Sequence, residues 1–163
     1  MGILALSLNG GKCSVGTYSP VTSATTDTIG ASFTPKFCFL GLVGNTAVDT
    51  QEEDGDAGVF AISTMDAAAQ SCNSIALEDL SAVTDTQSLV DNQAIKLPAH
   101  DGASNLYDAT LTSLDSSGVH LSYSTADATT RKWIYMLISD EVAAAATSFF
   151  FRSNNTIRAM LRR

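Results

Sequence analysis

The chain has 163 residues, of which 45% are hydrophobic and only 16% charged, with a formal net charge of −8. That length supplies one domain with a sizeable core, and the acidic balance argues against a nucleic-acid-binding body, because a phosphate-contacting surface needs clustered Lys and Arg. Scarce charge with abundant Thr, Ser, Ala and Gly fits a Ser/Thr-rich β-sheet protein with many turns, and equally a protein whose surface is covered by neighbours.

In chain order, residues 3–8 are apolar and form a strand or an extended arm, followed by a turn at Asn9-Gly10-Gly11. Residues 12–18 alternate Cys13, Val15 and Thr17 against Ser14 and Gly16, a strand stopped by Pro20. Residues 21–29 are Thr-rich and polar, hence an exposed or edge strand. Residues 36–43 are a nearly continuous apolar run of strand length, and Pro35 suits its start because proline cannot donate to a ladder. Residues 44–58 are acidic, with Glu52, Glu53, Asp54 and Asp56 close together. Asp54-Gly55-Asp56 has calcium-ligand residue types, but the EF-hand spacing and its closing Glu are missing, so a solvated loop is expected. Residues 59–65 predict another core strand. Residues 66–80, with Ala67, Ala68 and Ala69 together, suggest a helical turn. Residues 83–97 predict one or two strands, interrupted near Asp91-Asn92 and ended by Pro98.

The strongest pattern lies in residues 108–139. Period-two alternation on either side of Asp115-Ser116-Ser117-Gly118 predicts a β-hairpin, with Gly118 supplying the positive φ that such a turn needs. After a small-residue loop, residues 131–138 form a third strand, apolar on both faces as in a buried strand. The three together predict a meander.

Cys13, Cys38 and Cys72 are an odd number without CxxC spacing, so neither a disulfide framework nor a zinc site is expected, and Cys13 and Cys38 are read as buried thiols in strands. The apolar N-terminus lacks a basic region and transmembrane length, which predicts synthesis in the cytoplasm without export and no membrane anchor. Residues 148–163 differ from everything before them: Arg152, Arg158, Arg162 and Arg163 give +4 without a single acid, whereas residues 1–147 hold seventeen acids against five Lys or Arg, a net −12. Such a split suggests an arm docking on an acidic neighbour, anchored by Phe149, Phe150 and Phe151 and by bidentate Arg–carboxylate pairs. The alternative is a final strand and short helix packed on its own domain. The expected organisation is a β-sandwich over residues 1–147, with residues 1–11 as a possible arm, and a basic arm over 148–163.

Catalytic signals are few. His100 and His120 sit in no metal-binding frame, Asp101 is merely adjacent to His100, and GxSxG, P-loop and GxGxxG motifs are absent. Spacing alone does not decide whether a Ser, Asp and His meet in space. No enzyme activity, cofactor or metal is expected.

Phe33-Thr34-Pro35-Lys36-Phe37-Cys38-Phe39-Leu40 resembles the "GFxPkxVxF" strand of small β-sandwich proteins encoded in tailed-phage structural modules. Residues 125–135 (TADATTRKWIY) resemble the "TADAtaRxxxYla" segment that follows a "DxxGFxL" hairpin in those proteins, and here that hairpin reads Asp115-Ser116-Ser117-Gly118-Val119-His120-Leu121. The order of the segments matches over residues 12–138. Val119 departs from a frequent aromatic, and the Arg-rich tail is foreign to the family. The resemblance implies a virion structural protein with an antiparallel, jelly-roll-like β-sandwich and extended terminal arms. It leads to the expectation of a capsid decoration (cement) protein bound to the major capsid protein or another virion protein, self-associating as a homo-oligomer with a trimer favoured. A tail or fibre component binding a host glycan is the alternative, and a hydrolase acting on the host envelope is a third reading.

Overall fold

The computed structural model describes residues 11–47, 57–78, 85–99 and 104–139. They contain ten strands: β1 (Cys13–Tyr18), β2 (Thr26–Gly30), β3 (Phe37–Leu42), β4 (Ala57–Asp66), β5 (Gln70–Glu78), β6 (Asp85–Asp91), β7 (Ile95–Pro98), β8 (Asn105–Asp115), β9 (Gly118–Thr125) and β10 (Trp133–Ile138). All pairings are antiparallel. A six-stranded sheet runs β1-β10-β3-β4-β5-β6 and a four-stranded sheet runs β2-β9-β8-β7. No helix occurs among the described residues, and the strands lie in one compact unit, Cys13–Ser139. The antiparallel β-sandwich expected from the sequence is present.

Its jelly-roll character is confined to one end. The consecutive strands β1 and β2 enter different sheets, and the late strands β10 and β9 close onto them. Between those crossings, β3-β4-β5-β6 and β7-β8-β9 are up-and-down runs.

Period-two patterning sets the core. Cys38, Leu40 and Leu42 on β3, Ala61 and Met65 on β4, and Trp133 and Leu137 on β10 point inward from the large sheet. Ile29, Ile95, Leu97, Tyr107, Val119 and Leu121 meet them from the small one. Trp133 is fully buried, and Tyr107 stands edge-on to it at a centroid distance of 6.4 Å and an interplanar angle of 84°. Tyr107 also meets Tyr123 edge-on at 6.3 Å. Edge-to-face pairs add about 0.5–1.5 kcal/mol beyond the area they bury.

Polar side chains tie the sheets where apolar ones cannot. Tyr18 donates its hydroxyl proton to Asp27 Oδ2 at 2.6 Å and lies 2.9 Å from the Tyr123 hydroxyl, which joins β1 to β2 and β9. Burial pushes the Tyr18 and Tyr123 hydroxyls well above the ordinary phenol range. Beyond Ile95, where β7 begins, the Leu111 amide of β8 has no partner on that strand, and Gln70 Oε1 accepts it at 2.7 Å. Ser74 Oγ donates to the Lys96 carbonyl at 2.7 Å, which fastens β5 to β7.

Three expectations are corrected. Residues 131–138 do not complete a meander: β10 crosses to the other sheet and pairs with β1 and β3. The crossover is held by Asp127, which accepts from the Thr129 amide and from Arg131 Nε at 3.0 Å, while Arg131 Nη1 reaches the Gly44 carbonyl. The described part of residues 66–80, residues 66–78, holds no helical turn: Ala67–Ala69 forms a hairpin bend in which Asp66 Oδ1 accepts the amides of Ala68 and Ala69, both at 2.7 Å, and β5 follows. Those two bonds replace the ones a helix would have supplied. Cys13 is exposed on β1, whereas Cys38 and Cys72 are buried. Residues 3–8, the acidic residues Glu52 to Asp56, and His100 with Asp101 lie outside the described residues.

Candidate interaction surface

A strand buried on one face exposes the other, and in this large sheet that other face is apolar as well. Its outward positions are Cys13, Val15 and Thr17 on β1, Ile134, Met136 and Ile138 on β10, and Phe37, Phe39 and Gly41 on β3. They continue as Phe60, Ile62 and Thr64 on β4, Asn73, Ile75 and Leu77 on β5, and Ser88 and Val90 on β6. Val15, Ile134 and Val90 remain 69%, 59% and 75% exposed, so the apolar character runs from one edge of the sheet to the other. Among the described outward strand positions the one charged residue is Asp66, at the rim. Lys132, which follows the same parity just before β10, lines the edge of the face beside Ile134, so among the described residues the charges of this face lie at its rim.

The face is shallowly corrugated. One depression of about 330 Å³ lies over the β1-β10-β3 side, between Thr17, Gly41, Val43 and Ile134. Another of about 240 Å³ lies over β5 and β6, between Phe60, Asn73, Ile75 and Val90. Gly41 forms part of the floor of the first, because a Cβ there would come within 3.2 Å of Ile134 Cγ1.

A Ser, an Asp and a His do meet, at the β8–β9 turn. Asp115 is paired with Gly118 across the two-residue turn, and the register brings His120 opposite Ser113. His120 Nε2 lies 2.9 Å from Ser117 Oγ and 3.0 Å from Asp115 Oδ1, while Nδ1 lies 3.0 Å from Thr28 Oγ1. In an acyl-transfer relay the two ring nitrogens divide the work, one taking the serine proton and the other held by the carboxylate. Here both partners crowd one nitrogen, and Ser117 Oγ already donates to Asp115 Oδ1 at 2.5 Å. The hydrogen bonds are satisfied with the imidazole proton on Nε2 and Nδ1 accepting from Thr28. What the arrangement does chemically is brace the turn. Bonds from the Ser117 hydroxyl and amide, and from His120, hold the Asp115 carboxyl well below the usual carboxylate range.

The remaining ionic cluster is structural. Lys96 lies 3.3 Å from Asp108 and 3.5 Å from Asp91, and its ammonium is held above its ordinary range chiefly by the bond to Asp108. Burial pushes the Cys38 thiol up to about 12, which leaves it a packing group without reactivity. Among the described residues no group of three or more His, Cys, Asp or Glu is placed to hold a metal ion, and no helix is long and apolar enough to cross a membrane. The residues assigned to a basic arm, Phe149, Phe150, Phe151, Arg152, Arg158, Arg162 and Arg163, lie outside the described residues. Sequence reasoning misses the outer face, although its signal is there: β3, β4 and β10 are apolar at both parities, a pattern that burial on both sides would also produce.

No family model matches the chain, and no curated protein matches it. Among solved structures it is similar to the tailspike protein of Acinetobacter phage vB_ApiP_P1, with a TM-score of 0.25 and 11% sequence identity over 85% of this chain. The chain spans 23% of that tailspike's length.

Proposed function

We propose that this chain is a virion structural protein of a tailed bacteriophage, working by adhesion to its neighbours, and that its place is the outer surface of the icosahedral shell as a decoration protein. The observation that carries the adhesive reading is the apolar outer face of the six-stranded sheet, whose described charges lie at its rim, since a patch of that width is a surface to be covered. The phage assignment rests on the ordered segments around Pro35, Gly118 and Arg131, and the sandwich those segments belong to is compatible with it. The basic stretch with Phe149, Phe150, Phe151 and its four Arg is proposed to seat on acidic neighbouring subunits. A glycan-binding tail component is supported less well, because Trp133, the single Trp, is buried in the core and offers no stacking platform.

The test is to mix fluorescently labelled protein with purified shells and, separately, with isolated tails, and to measure co-sedimentation and image the label. Saturable binding to shells, weakened at least tenfold by deletion of residues 148–163, is the expected result. Label on tails alone would move the protein to the tail, and label on neither would end the virion reading.

A further inference from the structure

We infer that the outer face of the six-stranded sheet is covered by a second copy of the same chain, packed face to face about a two-fold axis parallel to the strands and lying between β3 and β4. This deepens the adhesive reading and rests on it only in holding that the face is covered.

The register makes the face complementary to its own reverse. Outward residues paired across the sheet form rows, and one row reads Thr17, Ile134, Gly41, Ile62, Asn73, Val90. The adjacent row reads Val15, Met136, Phe39, Thr64, Ser71. A two-fold axis between β3 and β4 lays each row on its own reversal. Ile62 of one copy then faces Gly41 of the other, Ile134 faces Asn73, and Val90 faces Thr17. In the second row Phe39 faces Thr64 and Met136 faces Ser71. In these two central rows each pairing sets a large side chain against a smaller one, the condition for two packed sheets to interdigitate about 10 Å apart, while the rim row sets Phe37 beside Asp66. Moving the axis one strand, to between β10 and β3, sets Met136 on Phe39 and loses that match. The roughly 30° rotation that sheet twist imposes on aligned packing displaces the central rows least.

Area and charge agree with this occupant. Six strands at a spacing of about 4.8 Å, with outward rows about 20 Å long, give roughly 600 Å² before corrugation. A standard stable interface buries about 800 Å² per partner, and the largest apolar patch on a typical monomer is about 300–600 Å². Two chains of net charge −8 repel over most of their surfaces, but the described charges of these faces, Asp66 and Lys132, lie at the rim, where water reaches them. An isologous contact of this kind closes on itself.

The test is sedimentation velocity of the full chain across a hundredfold concentration range, with Ile62→Asp, Val90→Asp and, on the opposite sheet, Thr110→Asp. The expected result is an even-numbered assembly of the 17.1 kDa chain that Ile62→Asp weakens at least thirtyfold in Kd while circular dichroism stays native, and that Thr110→Asp leaves unchanged. Should Ile62→Asp fail to fold, Val90→Asp, at a position 75% exposed, gives the same reading. A monomer throughout, a trimer, or an assembly indifferent to Ile62→Asp and Val90→Asp overturns the inference. Shell binding by a monomer would sink this inference alone, whereas a dimer that ignores every particle component would sink the virion reading alone.

Discussion

Gly118 and Gly30 sit opposite each other across β9 and β2, yet replacing each by Ala should have opposite consequences. At Gly118 the backbone has φ +136°, and a Cβ would fall 2.1 Å from the Ile29 carbonyl oxygen and 3.1 Å from the Ala31 amide nitrogen. Both are backbone atoms, so no side-chain rotation relieves the clash. A side chain held at such a φ costs about 1–3 kcal/mol. Displacing the end of β2 adds about 1–3 kcal/mol of overpacking. The Ala31 amide bond to the Ser117 carbonyl, 3.1 Å long, contributes about 1 kcal/mol more when broken. The total, about 3–7 kcal/mol, is a large share of a typical domain stability of 5–15 kcal/mol and corresponds to a fall in Tm of roughly 10–20 °C at about 3 °C per kcal/mol. At Gly30 nothing lies within 4 Å of the added methyl, so Gly30→Ala should be neutral or stabilise by up to about 1 kcal/mol. Urea unfolding followed by the fluorescence of Trp133, the only Trp, reports both. A difference between the two variants of less than about 1 kcal/mol would mean that the turn does not hold Gly118 against the end of β2.

Trp133→Ala should cost about 3–5 kcal/mol, measured by urea unfolding followed by circular dichroism, because it empties the centre of the inter-sheet core. Tyr18→Phe should cost about 1–3 kcal/mol by stripping the Tyr123 hydroxyl and Asp27 of a shared partner. Asp115 has a depressed carboxyl, so its stabilisation is present above the unfolded value near 4 and is lost as pH falls through the folded one. Asp115→Asn should therefore be less stable than the parent at pH 7, and the gap should close progressively below about pH 4 in thermal melts. Tyr18, Tyr107 and Tyr123 are raised, so their contribution holds below the unfolded value near 10 and fades as pH climbs beyond it. Absorbance titration of the phenolate band should show these three ionising only together with the loss of ordered near-ultraviolet dichroism.

Much of the fold is legible in the sequence because the strands obey period two. The β8–β9 hairpin, β1, β3, β6 and β7 follow from alternation, Gly118, Pro35 and Pro98. β5 is not legible: its outward Ile75 and Leu77 are more apolar than its inward Ser74 and Ala76, which breaks the alternation, and three preceding alanines favour a helix locally. The destination of β10 is hidden because strand pairing is long-range, and residues 126–132 are long enough to reach either sheet. Its two apolar faces are plain in the sequence, but burial accounts for only one of them, since Ile134 looks outward at 59% exposure. The Asp115–Ser117–His120 brace follows from writing out the hairpin register, which brings the three to one side of the turn. The assignment of Phe149 to Arg163 as an arm rests on charge asymmetry alone.

The position of β10 also governs how the chain can be made. The strand that separates β1 from β3 is the last of the ten to leave the ribosome, so the larger sheet is filled from its interior rather than extended at a border. Until residue 138 has emerged, β1 and β3 each present a bare ladder edge towards a slot that only β10 fits, and Leu40 and Leu42 lack Trp133 and Leu137. Completion therefore waits for the entire sandwich to be synthesised, and closure between such distant partners belongs to the slow, non-local class of folding events. During that interval the nascent polypeptide exposes template-ready strand borders of the kind that invite misassembly. A shortened product ending before Trp133 should accumulate as aggregate.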